Sequence, residues 1–373
     1  MDYVIIGGGV YGAATAWALA QQGREVLLLE AQTVAAGASG GLGKRGVRAN
    51  GRDLREMPLM ARAYDIWPTL HEQLGGPTGY ERQGHLLLFE RERDLHGAPA
   101  QAQVQAANGI PSHWLTPAEL YDLEPDLRRT MLGALFCPLD GIADHTATTR
   151  SFAAAASQAG ATIREGCQVT RLERSGSRIE AVITAEAERI PVDGELLLLN
   201  NTGAVAMLAR EFDLKLPIYP ILPQVMLTER VEPMPVRHLI GHAHRRLAIK
   251  NNPDGRVMIS GGWLGQVDET TGRFHTVPTE IMGNLAEAQA VYPALEGIGV
   301  SEASADRPEG VSFDGIPIID QLPGLDNLTF AAGWSGHGWA IAPAVAQLLA
   351  EWRLTGRRPD LLTPFNLTRF GLG

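Results

Sequence analysis

The sequence is short of cysteine, of basic charge and of long apolar runs, and each shortage closes off a class of protein. Only Cys137 and Cys167 occur. Two distant cysteines exclude a disulfide framework and any CxxC metal or redox centre, and they predict reduced core residues in a cytoplasmic protein. Lys and Arg total 32 against 42 Asp and Glu, a formal charge of −10. That balance argues against a nucleic-acid partner, because a phosphate backbone is held by clustered cations. The longest apolar stretches, Gly12–Ala20 and Ala340–Ala350, stop well short of the ~20 residues of a membrane span. No basic leader precedes the first strand, so no signal peptide is expected. The 42 glycines and 23 prolines follow no short period, which excludes a collagen-like chain. With 373 residues, 45% of them apolar, the chain can form two domains or one large one without metal or disulfide staples.

The strongest signal lies in the first thirty residues. Asp2–Ile6 reads as a β-branched strand, Ala13–Gln22 as a helix, and Glu25–Leu29 as a second strand closed by Glu30. Gly7, Gly9 and Gly12 fall between strand and helix at the spacing of a dinucleotide fingerprint. Gly7 allows the tight turn, Gly9 lets backbone approach a pyrophosphate, and Gly12 lets the helix pack on the sheet. The helix N-terminus, with Val10 and Tyr11, presents N–H groups and positive potential to the phosphates. Glu30, followed by Ala31, is placed to accept the ribose hydroxyls, and its charge would repel a 2′-phosphate. This motif does not by itself separate NAD from FAD.

Two further devices separate them. Ala35 to Arg48 is a small-residue loop containing Ala38-Ser39-Gly40-Gly41 and the cations Lys44, Arg45 and Arg48. Leu328–Ala332 reads as a strand that enters the turn Gly333-Trp334-Ser335-Gly336-His337-Gly338, with an apolar helix after it. Together with the segment from Arg307-Pro308 to Asp314-Gly315-Ile316-Pro317, these features resemble the D-amino-acid oxidase family of FAD-dependent oxidoreductases. The resemblance is strongest to its sarcosine oxidase, glycine oxidase and dimethylglycine dehydrogenase branch. Asp140-Gly141, Gly160 to Val169 and Asn201-Thr202-Gly203 extend it over nearly the whole chain.

The resemblance implies an α/β fold with a Rossmann-like FAD-binding domain, spanning 1–80, 140–215 and 300–373. A mixed-sheet substrate domain from 81–139 and 216–299 would be interleaved with it. It also implies cofactor contacts. Gly7, Gly9, Gly12 and Glu30 would hold the ADP half of FAD. Ala38, Ser39, Gly43, Lys44 and Arg45 would reach the pyrophosphate and flavin, Val169 the adenine side, and Gly203 the pyrophosphate. Gly333, Ser335, Gly336, His337 and Gly338 would approach the ribityl chain and the isoalloxazine. The expected substrate ligands are Arg45, Arg48 and Arg307, with His337 beside the flavin. No cysteine falls at the branch's flavin-linking position, which is Arg307 here, so FAD is expected to be non-covalent. Two positions depart from sarcosine oxidase. Its second carboxylate-binding lysine is Ala340, and its oxygen-reactive lysine falls near Met258, with Lys250 the nearby lysine.

The residues leave Arg307 an alternative, an ion pair with Asp314 or Glu309. His238, His242 and His244 are expected in a polar loop or at a sheet edge, without a metal. The function these expectations describe is oxidation of the C–N bond of a small amino acid or N-methylated amine, with oxygen or another compound accepting the electrons. A 2-hydroxy acid or alcohol on the same scaffold, or a flavin-binding protein without turnover, are the alternatives.

Overall fold

The structure, a computed structural model, describes residues 1–38 and 43–372. The N-terminal unit forms as strand β1 (Tyr3–Ile6), helix α1 (Val10–Ala20) and strand β2 (Val26–Leu29). The helix starts three residues before the sequence pattern places it. Gly9 is extended, and its carbonyl already accepts the Ala13 N–H at 2.9 Å, so winding begins at once.

Strand β1 lies inside a six-stranded sheet, parallel to β2 on one side and to Glu195–Leu198 on the other. Thr162–Arg164 extends the sheet beyond β2. Leu328–Ala332 and the antiparallel edge Ile318–Gln321 extend it on the other side. The inner strands are uninterrupted apolar runs because both faces are covered. Ile5, Leu28, Leu197 and Ala331 face α1 and the helices His145–Gln158 and Ala342–Thr355. Val4, Leu27, Leu196 and Phe330 face the other way, toward the helix Thr202–Phe212 and a three-stranded sheet. Strand order reverses between β1 and Glu195–Leu198, and a crevice opens there at the carboxyl ends of the strands.

The second large sheet has eight strands. In order they are Val300–Ser304, Val225–Arg230, Arg256–Ser260, Ala248–Asn251, Leu239–His242, His85–Phe89, Gly133–Cys137 and His113–Leu115. It is mixed, because Leu239–His242 runs parallel to His85–Phe89 while the other pairs are antiparallel. The helix Pro278–Val291 packs on one face through Leu285, Ala288 and Val291. Strand Val300–Ser304 belongs to this sheet, although the sequence reading groups its residues with the nucleotide-binding part. A two-stranded ribbon, Arg45–Val47 with Gly141–Ala143, carries the cationic segment between the two sheets.

Among the described glycines the closest approach is at Gly12. A Cβ there would lie 1.8 Å from the Gly7 carbonyl oxygen, and backbone cannot yield as a flexible side chain can. Gly12→Ala is expected to destabilise the protein by at least the ~1–3 kcal/mol of an overpacked core position, and to lower flavin retention with it. Thermal unfolding and the absorbance of the purified protein check both.

Candidate active site

The crevice is lined first by the N-terminal turn. Gly7 has φ +113°, a conformation that favours glycine, and a Cβ on it would lie 2.8 Å from the Asn200 Cβ. Gly9 has open space where a side chain would stand. No side chain caps α1, so the first-turn N–H groups at Val10 and Tyr11 face the crevice. The Glu30 carboxylate accepts the Gly8 N–H at 2.6 Å and the Gln32 N–H at 2.8 Å, just beyond exposed Ala31. These bonds fix its two oxygens while leaving lone pairs for diol hydroxyls. The Cys167 N–H donates to the Glu30 carbonyl and the Gly166 N–H to that of Gln32, which brings the segment leading to Val169 alongside. On the other wall, Gly203 begins a helix, and its position would clash with the Asn200 amide were a Cβ added. Asn200 Oδ1 is buried with no hydrogen-bond partner. An uncapped helix start, an open backbone cradle and a poised carboxylate fit the ADP half of FAD.

The Gly333–Gly338 turn forms the far wall. Gly333, Ser335 and Gly336 all have positive φ. For Ser335 that costs on the order of 1–3 kcal/mol, and the surroundings hold it. The Ser312 N–H donates to Ser335 Oγ at 3.2 Å, and the Ser335 N–H to the Gly310 carbonyl at 3.0 Å. The Gly336 N–H donates to Glu309 at 3.1 Å. Tyr11 stacks on Trp334 with ring centroids 3.5 Å apart, and its hydroxyl donates to the Gly338 carbonyl at 2.5 Å. The N-terminal turn and the Gly333–Gly338 turn are therefore fastened directly to each other.

His337 is anchored by residues the sequence reading misses. Arg52 donates to the His337 carbonyl at 2.8 Å and stands 3.3 Å from Nδ1, and the wholly buried Glu56 lies 3.2 Å from the same nitrogen. Arg52 and Glu56 also pair with each other at 3.3 Å. Their four-residue spacing at a helix start is a visible signal, but an ordinary one. Arg48 donates to the Asn50 carbonyl at 2.7 Å. Beneath it sits Asp140, buried and accepting the Ala49 N–H at 2.7 Å, the Asn50 N–H at 3.2 Å and the Tyr64 hydroxyl at 2.5 Å. Burial pulls the guanidiniums of Arg45 and Arg48 down, Arg45 to about 10, and a neighbouring arginine adds to each effect.

Lys44 pairs with Glu81 at the rim of a cavity of about 380 Å³. Gly43, His145, Asn252 and Arg307 also line it. Arg307 donates to the Ala38 carbonyl at 3.3 Å and lies 3.8 Å from Asp306. Asp314, one of its two expected alternative partners, is engaged by Arg55 and Arg369 instead. Ser39, with Gly40 and Gly41, lies outside the described residues. His145 is buried with Nδ1 unpartnered, and its imidazole is pushed down to about 3 by burial and by Arg45 and Arg307. Lys250 is nearly buried, and its ammonium falls to about 7 for the same kinds of reason.

Other groups lie elsewhere. Cys137 and Cys167 are both buried and unpaired with each other. His242 sits on an interior strand of the eight-stranded sheet, not at an edge, because parallel pairing with His85–Phe89 covers it. Glu90, His242 and His244 offer ligand atoms within 4.8 Å of one another, but Glu90 already accepts from Arg245 at 2.7 and 2.9 Å. His238 pairs with Glu124 at 2.8 Å. Among the described residues no helix is long and apolar enough to cross a membrane.

Comparison with known proteins agrees with this geometry. The model of the DAO family, FAD-dependent oxidoreductases, matches residues 2–352, and the chain belongs to that family. It is 26% identical to the sarcosine oxidase subunit beta of Arthrobacter sp. over 386 residues, covering 100% of this chain and 91% of the relative. To glycine oxidase of Geobacillus kaustophilus it is 27% identical over 384 residues, covering 99% and 97%. Its fold is similar to that of L-proline dehydrogenase from P. horikoshii, with a TM-score of 0.89, 24% identity, and 99% and 97% of the two chains covered.

His145 gives the site a pH signature. Its folded-state pKa near 3 lies below the ordinary 6.5, so between those values the unfolded chain binds the extra proton. The stability from keeping it neutral is complete above pH 6.5 and is lost as pH falls toward 3. Urea unfolding across that range should show a fall that His145→Gln makes shallower.

Proposed function

We propose that the protein oxidises the C–N bond of a small amino acid or N-methylated amine that carries a carboxylate. The observation that carries this reading is the gathering of Arg45, Arg48 and Arg307 around one end of the cofactor crevice, where Arg45 and Arg307 act on each other and on His145. Binding an anionic substrate is the task such a group performs. Arginine offers a planar pair of donors that matches a carboxylate. The FAD held by the Gly7–Gly12 cradle and the Gly333–Gly338 turn would accept a hydride from the substrate carbon. The chain's own residues orient the amine and exclude water. The amine nitrogen gives up its proton as the C=N bond forms, and water then splits the imine to a carbonyl compound and the shortened amine. Oxygen or another acceptor takes the two electrons from the reduced cofactor.

The domain division belongs to the same reading. The six-stranded sheet serves the cofactor, and the eight-stranded sheet, entered at 81–139 and 216–299, closes over the substrate. Cofactor attachment is non-covalent, because Arg307 stands at the branch's linking position and both cysteines are buried. Acid precipitation should release all flavin into the supernatant; flavin remaining in the pellet rejects this part.

Anaerobic mixing of the FAD-loaded protein with D- and L-amino acids, N-methylated amines and 2-hydroxy acids tests the main reading. Amines are expected to bleach the flavin absorbance, whereas bleaching by hydroxy acids alone transfers the assignment to an alcohol dehydrogenase. Arg307→Ala should raise KM tens- to hundreds-fold, in keeping with the roughly 2–3 kcal/mol of a charged hydrogen bond. An unchanged KM removes Arg307 from the substrate site.

A further inference from the structure

One buried lysine at the site, Lys250, has no hydrogen bond or ion pair among the described residues. Directly paired strand residues share a sheet face, so the register defines a row across the eight-stranded sheet. Leu227 pairs with Met258, and Met258 with Lys250. Leu239 follows, one step beyond the Ile240–Ile249 pair, and it pairs with His85. The cationic segment runs over this row. A Cβ on Gly43 would lie 3.0 Å from Met258 Sδ, and one on Gly46 would lie 3.2 Å from Leu239 Cδ2. Lys250 stands between those two contacts, under Lys44 and Arg45. The opposite face, with Ile240, Ile249, Val257 and Ile259, belongs to the core under the helix Pro278–Val291.

The neighbouring cations are answered. Lys44 has Glu81, Arg52 has Glu56, and Arg307 has Asp306. Arg48 feels Asp140 and Glu56, and Arg45 feels Asp144 and Glu309. Lys250 is only 5% exposed. The charges that act on it are Arg45 and Arg48, both positive. Among the described residues no hydrogen bond or ion pair engages its ammonium. Burial beside two arginines makes the ammonium costly to hold, so the amine sheds its proton more readily than an exposed lysine, and an anion arriving with the ligand would stabilise the charged form. The diphosphate cradle at Gly7–Gly12 lies on the other sheet and has its own donors.

We propose that the substrate is a dicarboxylic amine or imino acid, with its second carboxylate held by Lys250 beside Arg48. This rests on the amine-oxidation reading above and adds the substrate class to it.

Two redox-inert probes of equal chain length, succinate and butyrate, test it on the FAD-loaded protein at constant ionic strength. Flavin difference spectra and thermal unfolding both report binding. Succinate is expected to bind at least ~10-fold more tightly than butyrate, the scale of an added charged hydrogen bond. Lys250→Met should collapse that ratio toward one, and Lys250→Arg should restore most of it. Should Lys250→Met fail to fold, the wild-type ratio and Lys250→Arg still decide. Equal binding of the two probes, or a ratio untouched by Lys250→Met, overturns the proposal. A variant altered solely in its rate of reoxidation by air overturns it as well. Anaerobic reduction by N-methylglycine and by N-(carboxymethyl)glycine then separates the two readings. If neither these nor the amino acids of the wider panel bleach the flavin while succinate is still preferred, amine oxidation fails and the second carboxylate site stands. If N-methylglycine bleaches it readily and the probes bind alike, the dicarboxylate class fails and amine oxidation stands.

Discussion

The Asp140 carboxylate is fully buried, and distant parts of the chain converge on it. The backbone N–H groups of Ala49 and Asn50, the Tyr64 hydroxyl and His85, 3.5 Å away, all meet there. It follows strand Gly133–Cys137 of the eight-stranded sheet and precedes Gly141–Ala143, the partner of the Arg45–Val47 ribbon. One group thus fixes how the cationic segment sits against the second sheet. A buried carboxylate stripped of these donors costs several kcal/mol, so the segment has little freedom to shift. The position of Arg48 follows from that anchorage, and Arg52 carries it on to His337.

The site's charge distribution is lopsided by construction. Glu56, Asp140 and Glu309 are buried behind the cations and committed to local partners. Arg45 lies close enough to Arg307 to act on it, and Arg45 and Arg48 both act on Lys250. Removed from water, such charges interact strongly, which explains why two arginines and a lysine are displaced from their ordinary ionisation and why His145 stays neutral. A positive field of this kind attracts anions.

What could be read from the sequence was what depends on neighbours along the chain. The turn from Gly7 to Gly12, the acid at Glu30 and the strand entering Gly333 are each set within about thirty residues, and the structure has them as expected. Contacts between remote segments were not legible. Arg307 offered Asp314 as a partner, but Arg55 and Arg369 outcompete it from 259 and 55 positions away from Asp314. Likewise nothing local marks Glu56 as the residue behind His337, or Lys250 as buried. His242 looked peripheral because polar strands usually are, yet parallel pairing placed it inside.

The strand order has a consequence for folding. Strand β1 is flanked by Glu195–Leu198, which needs Leu328–Ala332 beside it in turn, and α1 packs on Ala342–Thr355. The N-terminal turn must therefore wait for strands distant in sequence before its sheet can close. Sequence-distant pairing of this kind slows folding and exposes unpaired strand edges meanwhile. The crevice between these segments therefore closes only once parts of the chain far apart in sequence have paired.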